Sequence, residues 1–215
     1  PKSLKKLRSN RAWIERHIND PFVKKSRREG YRARSVYKLT ELDDTEHLFR
    51  PGMNVADLGS APGSWTQIVR ERLTDKNGEL KGRIIAMDIL PMEPIDGVTF
   101  LQGDFREQEV ADKLNEILGG DKLDVVISDM APNLSGIAMV DANASLLLNE
   151  LALDFAVEHL KPEGVFVTKA FQGSGYSQFI ENCKKHFVSV AQRKPEASRN
   201  SSAEMYVVAR RLKQK

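Results

Sequence analysis

The stretch Val55-Ala-Asp-Leu-Gly-Ser-Ala-Pro-Gly-Ser-Trp65 decides how the rest of the chain is read. A short apolar run, Asn54 to Leu58, stops at Gly59, turns, and opens a helix from Ser64 to Leu73. Glycine lets the backbone turn with positive φ or approach a ligand closely, so Gly59 and Gly63 mark a strand–turn–helix loop built for contact. The spacing departs from the dinucleotide fingerprint G-x-G-x-x-G, whose glycines would fall on Gly59, Ala61 and Ser64. A nucleoside with an uncharged or cationic tail suits this loop better than a pyrophosphate, and Asp57 would suit a positive amino acid end. A tight turn that binds nothing is the plainer reading, and the row of acidic strand ends farther along the chain argues against it.

Outward from this loop, apolar strand patterns alternate with helical ones. Strands are expected at Arg83–Met87, Val98–Leu101, Asp124–Ser128 and Gly164–Thr168, with closing strands at Phe187–Ala191 and Met205–Ala209. Helices are expected at Glu107–Leu118, Ala144–Leu160 and Tyr176–His186. Before the loop, Arg11–Asn19 and Phe22–Glu29 read as short basic helices. Ser35 is placed to cap a helix reaching about His47, with Val36, Leu39 and Leu42 as its buried stripe. This alternation predicts an α/β fold, a mostly parallel sheet of about seven strands with helices on both faces. Ligands of such sheets bind beyond the carboxyl ends of the strands, which selects Gly59, Asp88, Asp104, Asp129 and Lys169 together. Asp88 is placed to accept ribose hydroxyls, and Asp104 to face an adenine edge.

Charge is divided unevenly. Residues 1–38 carry 13 Lys/Arg against 3 Asp/Glu, while residues 39–215 carry 20 against 27, so a net of +3 hides +10 followed by −7. That asymmetry points to a polyanion approached from one side, although a solvated basic tail explains charge alone. One cysteine, Cys183, excludes an internal disulfide and a Cys-rich zinc site. No apolar run is long enough to span a membrane, and the basic N-terminus lacks the apolar core of a secretory signal, so a cytoplasmic protein is expected.

The remaining chemistry gathers around Ser128-Asp-Met-Ala-Pro-Asn133 and Val167-Thr-Lys-Ala-Phe-Gln-Gly173. The first lacks the aromatic cap expected of an enzyme that methylates a flipped base. Cys183 lies too far from the strand ends to attack a pyrimidine carbon, which leaves a hydroxyl acceptor. Lys38 and Glu204 complete a possible set of two bases and two acids, though each alone reads as half of a surface salt bridge. An NAD-linked oxidoreductase and a non-catalytic RNA-binding module are the rival readings; the missing middle glycine opposes the first and the intact acid–base set the second.

These segments, with Gly30-Tyr-Arg-Ala-Arg-Ser-Val-Tyr-Lys-Leu39, Gly103-Asp-Phe105 and Ser198-Arg-Asn-Ser-Ser-Ala-Glu-Met-Tyr206, resemble the FtsJ/RrmJ family of S-adenosylmethionine-dependent RNA ribose 2'-O-methyltransferases along essentially the whole chain. The resemblance implies a Rossmann-like methyltransferase fold and a catalytic tetrad of Lys38, Asp129, Lys169 and Glu204. It implies donor binding by Asp57, Gly59, Pro62, Gly63, Trp65, Asp88, Asp104, Phe105 and Asp129, with S-adenosylhomocysteine as product and no metal. The implied acceptor is a uridine of large-subunit (23S) ribosomal RNA, free or within the large ribosomal subunit, and the protein is expected to act as a monomer. Residues 1–34 are then a basic RNA-binding extension and 35–215 the catalytic domain. Lys24, Lys25, Arg27, Arg28, Arg32, Arg34 and Arg199 are the expected RNA contacts, with Lys194 extending that surface and Tyr206 either stacking or packing.

Overall fold

A computed structural model describes residues 2–215, with side chains from Asn10 onward. Seven strands form one sheet in the order β3-β2-β1-β4-β5-β7-β6. They are β1 (Asn54–Leu58), β2 (Arg83–Asp88), β3 (Thr99–Gln102), β4 (Leu123–Ser128), β5 (Leu160–Phe171), β6 (Phe187–Arg193) and β7 (Glu204–Leu212). Neighbours from β3 to β5 pair in parallel, and β7 runs antiparallel to both β5 and β6. The helices are α1 (Lys2–Asn19), α2 (Pro21–Glu29), α3 (Val36–Glu46), α4 (Ser64–Leu73), α5 (Gln108–Leu118), α6 (Ala138–His159) and α7 (Tyr176–His186). The expected mostly parallel α/β sheet is what forms.

Side chains alternate across a strand, so each strand feeds two cores. Ala56, Leu58, Ile85, Val126 and Phe166 pack with α5, α6 and α7 on one face. Val55, Ile84, Val125, Ile127 and Val167 pack with α3 and α4 on the other. The expected α3 stripe is there: Val36, Leu39 and Leu42 are all buried. Each fully buried side chain of this size contributes about 1.5–3 kcal/mol relative to exposure.

Several boundaries differ from expectation for physical reasons. Helix α6 begins at Ala138 rather than Ala144, because the Asp141 carboxylate accepts hydrogen bonds from the Ser135 and Gly136 amides and the Ser135 hydroxyl. Strand β5 does not end at Lys169. It runs on to Phe171, because β7 already starts at Glu204 and supplies partners for Ala170 and Phe171. Ser35 does not cap α3 with its side chain; its hydroxyl lies 2.9 Å from the Ser64 hydroxyl and its carbonyl accepts the Trp65 indole N–H at 2.9 Å, tying α3 to α4. The first basic helix also starts well before Arg11. Helix α2 is capped by the Asp20 carboxylate and stopped by Gly30 in the left-handed conformation.

Candidate active site at the carboxyl edge of the sheet

Register brings the four tetrad residues together. Ser128 pairs with Thr168, so Asp129 follows level with Lys169. On the other side of β5, Lys169 pairs with Tyr206 and Phe171 with Glu204. Lys169 and Glu204 therefore share a face, the face on which α3 packs and presents Lys38. The result is two ion pairs: Lys38 Nζ lies 2.6 Å from Glu204 Oε1, and Lys169 Nζ lies 3.5 Å from Asp129 Oδ1. All four side chains are less than one-fifth exposed. Burial pushes the Glu204 carboxyl up, but hydrogen bonds from Lys38 and Ser198 and the charges of Lys38 and Lys169 outweigh it and hold Glu204 below the usual range.

Two positioning side chains escape a reading of the sequence. The Ser198 hydroxyl, buried, donates to Glu204 at 2.6 Å. The Tyr206 hydroxyl donates to Asp129 at 3.0 Å, and its ring lies 5.8 Å from Trp65. Tyr206 thus packs rather than stacks on a ligand, and it is fully buried. A Ser beside Ser-Ser and a Tyr on an apolar strand give no sequence signal for these roles.

The donor loop sits beside this group. Gly59 has φ 70°, and a Cβ there would collide with Met130 Cγ. Asp88 accepts the Ala61 and Leu90 amides at 2.8 and 2.9 Å, fixing the loop to the end of β2 and leaving lone pairs on both oxygens. Ser64 and Trp65 open α4, so their amides have no intrahelical acceptor. The Trp65 indole is buried away in the α3 side of the core, so what it offers a ligand is its backbone. Phe105 lies edge-on to Phe155 at 5.6 Å. Asp104 is held bidentately by Arg106, whose hydrogen bonds lower the Asp104 carboxyl below its usual range.

Asp57 lies beneath the loop, fully buried, accepting the Thr66 hydroxyl at 2.7 Å. Burial pushes its carboxyl up to about 8; the Thr66 bond opposes this, and the nearby charges of Asp129 and Asp88 add to it. Among the described residues, Asp57 Oδ1 and Ser60 Oγ are buried without a hydrogen-bond partner. Carboxylates crowded around a glycine turn oppose a pyrophosphate and suit a nucleoside whose tail carries positive charge. These features fit S-adenosylmethionine: Asp88 toward ribose, Asp57 and Asp129 toward the cationic portion, and the loop backbone alongside.

The expected RNA contacts divide in two. Lys24, Lys25, Arg27 and Arg28 are exposed on α2, with Lys25 Nζ 4.5 Å from the Tyr37 ring. Arg32 and Arg34 are half-buried, and both spend hydrogen bonds within the protein. Arg32 donates to the carbonyls of Pro62, Glu93 and Pro94 at 2.9, 2.7 and 3.1 Å, clamping the donor loop to the segment after β2. Arg34 pairs with Asp20 at 3.1 Å and donates to the Ala197 carbonyl at 2.7 Å. Lys194 is exposed and donates to the carbonyls of Ser202 and Glu204, closing the β6–β7 loop. Arg199 is partly exposed and pairs with Asp20 at 2.9 Å. Asp20 therefore joins α2, Arg34 and the loop that carries Ser198. Its carboxyl, pushed up by burial, is brought below the usual range by Arg199, the Phe22 amide and Arg34. Among the described residues, no group of three or more His, Cys, Asp or Glu side chains is placed to hold a metal ion, and no helix is long and apolar enough to cross a membrane.

A family model described as FtsJ-like methyltransferase matches residues 31–212. The ribosomal RNA large subunit methyltransferase E of Cupriavidus necator is 52% identical over 218 residues, covering 98% of this chain and 99% of its own. Its counterpart in Bordetella petrii is 53% identical over 210 residues, covering 98% of this chain and 100% of its own. Among solved structures, a ribosomal RNA methyltransferase from Plasmodium falciparum has a TM-score of 0.76 at 32% identity, covering 86% of this chain and all of that one. Human methyltransferase-like protein 13 in complex with SAH has a TM-score of 0.55 at 18% identity, covering 81% of this chain and 79% of that one, and speaks for the fold alone.

Proposed function

The chain belongs to the FtsJ-like methyltransferase family, and from that premise we propose that it transfers a methyl group from S-adenosylmethionine to the ribose 2'-hydroxyl of a uridine in large-subunit (23S) ribosomal RNA. The observation that carries this reading is the convergence of the Lys38–Glu204 and Lys169–Asp129 pairs beside the donor loop. When bound, S-adenosylmethionine supplies a methyl group already activated on a sulfonium, so the protein's task is to place the acceptor and manage one proton. Placement alone lowers such a barrier substantially. Lys169 holds the acceptor hydroxyl, orienting it as an ammonium or, as the neutral amine, taking its proton as general base. Asp129, fixed by Tyr206, and Glu204, fixed by Lys38 and Ser198, keep the Lys169 side chain in position. Asp57 and Asp88 hold the donor's cationic and ribose portions, and S-adenosylhomocysteine leaves as product.

The N-terminal segment, residues 1–34, acts as the RNA-binding extension of a catalytic domain spanning 35–215. Lys24, Lys25, Arg27 and Arg28 supply backbone contacts that give affinity without reading sequence. The substrate is ribosomal RNA within the large subunit, and the protein works as a cytoplasmic monomer. The relatives' name and the basic face of α2 support this reading. Lys169→Ala is expected to fold, to keep donor affinity within about twofold, and to lose about 10²- to 10⁴-fold in methyl transfer. Near-normal turnover in that variant refutes the assignment.

A further inference from the structure

The loop between β4 and α6 turns the usual surface arrangement inside out. Of residues 130–149 only Asp141 carries a charge, in a chain that is 29% charged. That one carboxylate is spent on the loop itself, accepting the Ser135 and Gly136 amides and the Ser135 hydroxyl. The Ser135 hydroxyl in turn accepts the Ile137 amide at 3.1 Å. Polar groups close the turn, and the long apolar side chains are left outside. Leu134 is 79% exposed, Met139 75% and Ile137 60%, while Val140 and Leu147, seven residues apart on α6, are at least half exposed. One exposed Leu or Met is ordinary, but five gathered on so short a stretch mark a contact surface.

Its place in the fold says what covers it. Leu134 follows Asp129 by five residues, so the loop flanks the catalytic group on its Asp129 side. The opposite flank is basic. Lys24, Lys25, Arg27 and Arg28 are exposed on α2, and Asp20, which caps α2, pairs with Arg199 next to the Ser198 that holds Glu204. A ribose held at Lys169 lies between these two flanks. In single-stranded RNA the bases can splay away from the phosphates. Phosphates gain from α2 and gain nothing from a loop whose one charge is negative. Bases, flat and uncharged, gain from covering Leu134, Ile137 and Met139. We propose that the β4–α6 loop and the first turns of α6 carry the unpaired bases that flank the acceptor nucleotide, while α2 carries their phosphates. This assignment rests on the methyl-transfer reading for the ribose at Lys169, and it adds an uncharged half to the RNA surface.

The test uses the full chain with S-adenosylhomocysteine present and follows the Met139 methyl resonance. The probes are a single-stranded oligouridylate and an abasic strand of the same length and charge. The methyl resonance is expected to shift with the oligouridylate and to stay in place with the abasic strand, while both strands move the amides of α2. Leu134→Ser, Ile137→Ser and Met139→Ser together remove only exposed groups, so donor affinity and Tm are expected to hold. Affinity for protein-free large-subunit RNA is expected to fall about tenfold. The slope of log affinity against log salt is expected to stay unchanged, because no phosphate contact is lost. A Met139 methyl that ignores the oligouridylate while α2 responds overturns the surface. A shift already complete with S-adenosylhomocysteine alone also overturns it, and makes the loop a cover for the donor. A triple variant impaired on intact subunits but normal on protein-free RNA makes the occupant a protein of the subunit instead. Self-association of the parent that the variant loses makes it a second copy of this chain. If the parent transfers no methyl group to RNA while Met139 still responds to bases, the methyl-transfer reading fails and the surface stands.

Discussion

Replacing Asp57 by Asn removes a carboxyl that the fold has forced toward its neutral form. The amide carbonyl of the variant can still accept the Thr66 hydroxyl that bonds Asp57 at 2.7 Å. In the folded protein the Asp57 carboxyl is pushed up to about 8, first by burial and then by Asp129 and Asp88. In the unfolded chain it titrates near the ordinary 3.8. A group raised in the folded state favours folding less and less as pH climbs through this window. Unfolding releases a proton between about pH 4 and pH 8, so the parent protein loses about 1.4 kcal/mol of stability per pH unit there from this group. The Asp57→Asn variant carries no such dependence. The stability difference between variant and parent is expected to widen from about 2 kcal/mol at pH 5 to about 4 kcal/mol at pH 7, on top of any constant offset. Urea unfolding at pH 5, 6, 7 and 8 without donor measures it. The same electrostatics predict that S-adenosylmethionine binds Asp57→Asn more weakly, because the carboxylate that would face its positive charge is gone. A stability difference that stays constant from pH 5 to pH 8 would refute the reasoning.

Other substitutions separate the charged surface from the internal braces. Changing Lys24, Lys25, Arg27 and Arg28 together to Ala should lower the slope of log affinity for RNA against log salt by about 0.7–0.9 for each phosphate no longer neutralised, with thermal stability unchanged; an unchanged slope counts against the clamp. Arg32→Ala in the same assays should instead weaken donor binding and lower Tm, since that side chain holds the donor loop. Asp20→Ala strands Arg34, whose side chain is 14% exposed, and uncaps α2, so it should cost about 3 kcal/mol in urea unfolding, and a cost below about 1 kcal/mol would contradict that pairing. Ser198→Ala leaves Glu204 with Lys38 alone and should lower kcat by about tenfold with little change in KM for donor, with Ser198→Thr restoring part of it.

How much of this was legible in the sequence depends on how local each feature is. Strand–turn–helix punctuation is local: Leu58-Gly59 and Asp57 through Trp65 carry their own signal, so the sheet, its switch to a glycine loop, and the row of strand-end residues could be read directly. That Lys38, Asp129, Lys169 and Glu204 belong together was also legible, because they sit at strand ends and in segments that resemble a known family, and the two ion pairs bring them together. Side-chain destinations were not. Arg32 and Arg34 look like neighbours of Lys24 and Arg28 in a basic run, but both hydrogen-bond within the protein, Arg32 to loop carbonyls and Arg34 to Asp20 and to Ala197, more than a hundred residues away. Lys194 reads as surface charge and is exposed, but its carbonyl partners on the β6–β7 loop, eight and ten residues on, carry no sequence signal. The start of α6 was missed because its capping group, Asp141, lies inside the helix rather than ahead of it. The extra length of β5 depended on where β7 begins, a pairing between segments more than 30 residues apart.

The central claim is that the acceptor is a ribose 2'-hydroxyl. The most direct measurement incubates the protein with methyl-labelled S-adenosylmethionine and large ribosomal subunits that lack the modification, then digests the RNA with alkali. A 2'-O-methyl group removes the hydroxyl that alkali needs to cleave the adjoining phosphodiester. Label is expected in alkali-resistant dinucleotides, and is expected to be absent with Lys169→Ala. Label recovered in mononucleotides would place the methyl group on a base and contradict the claim.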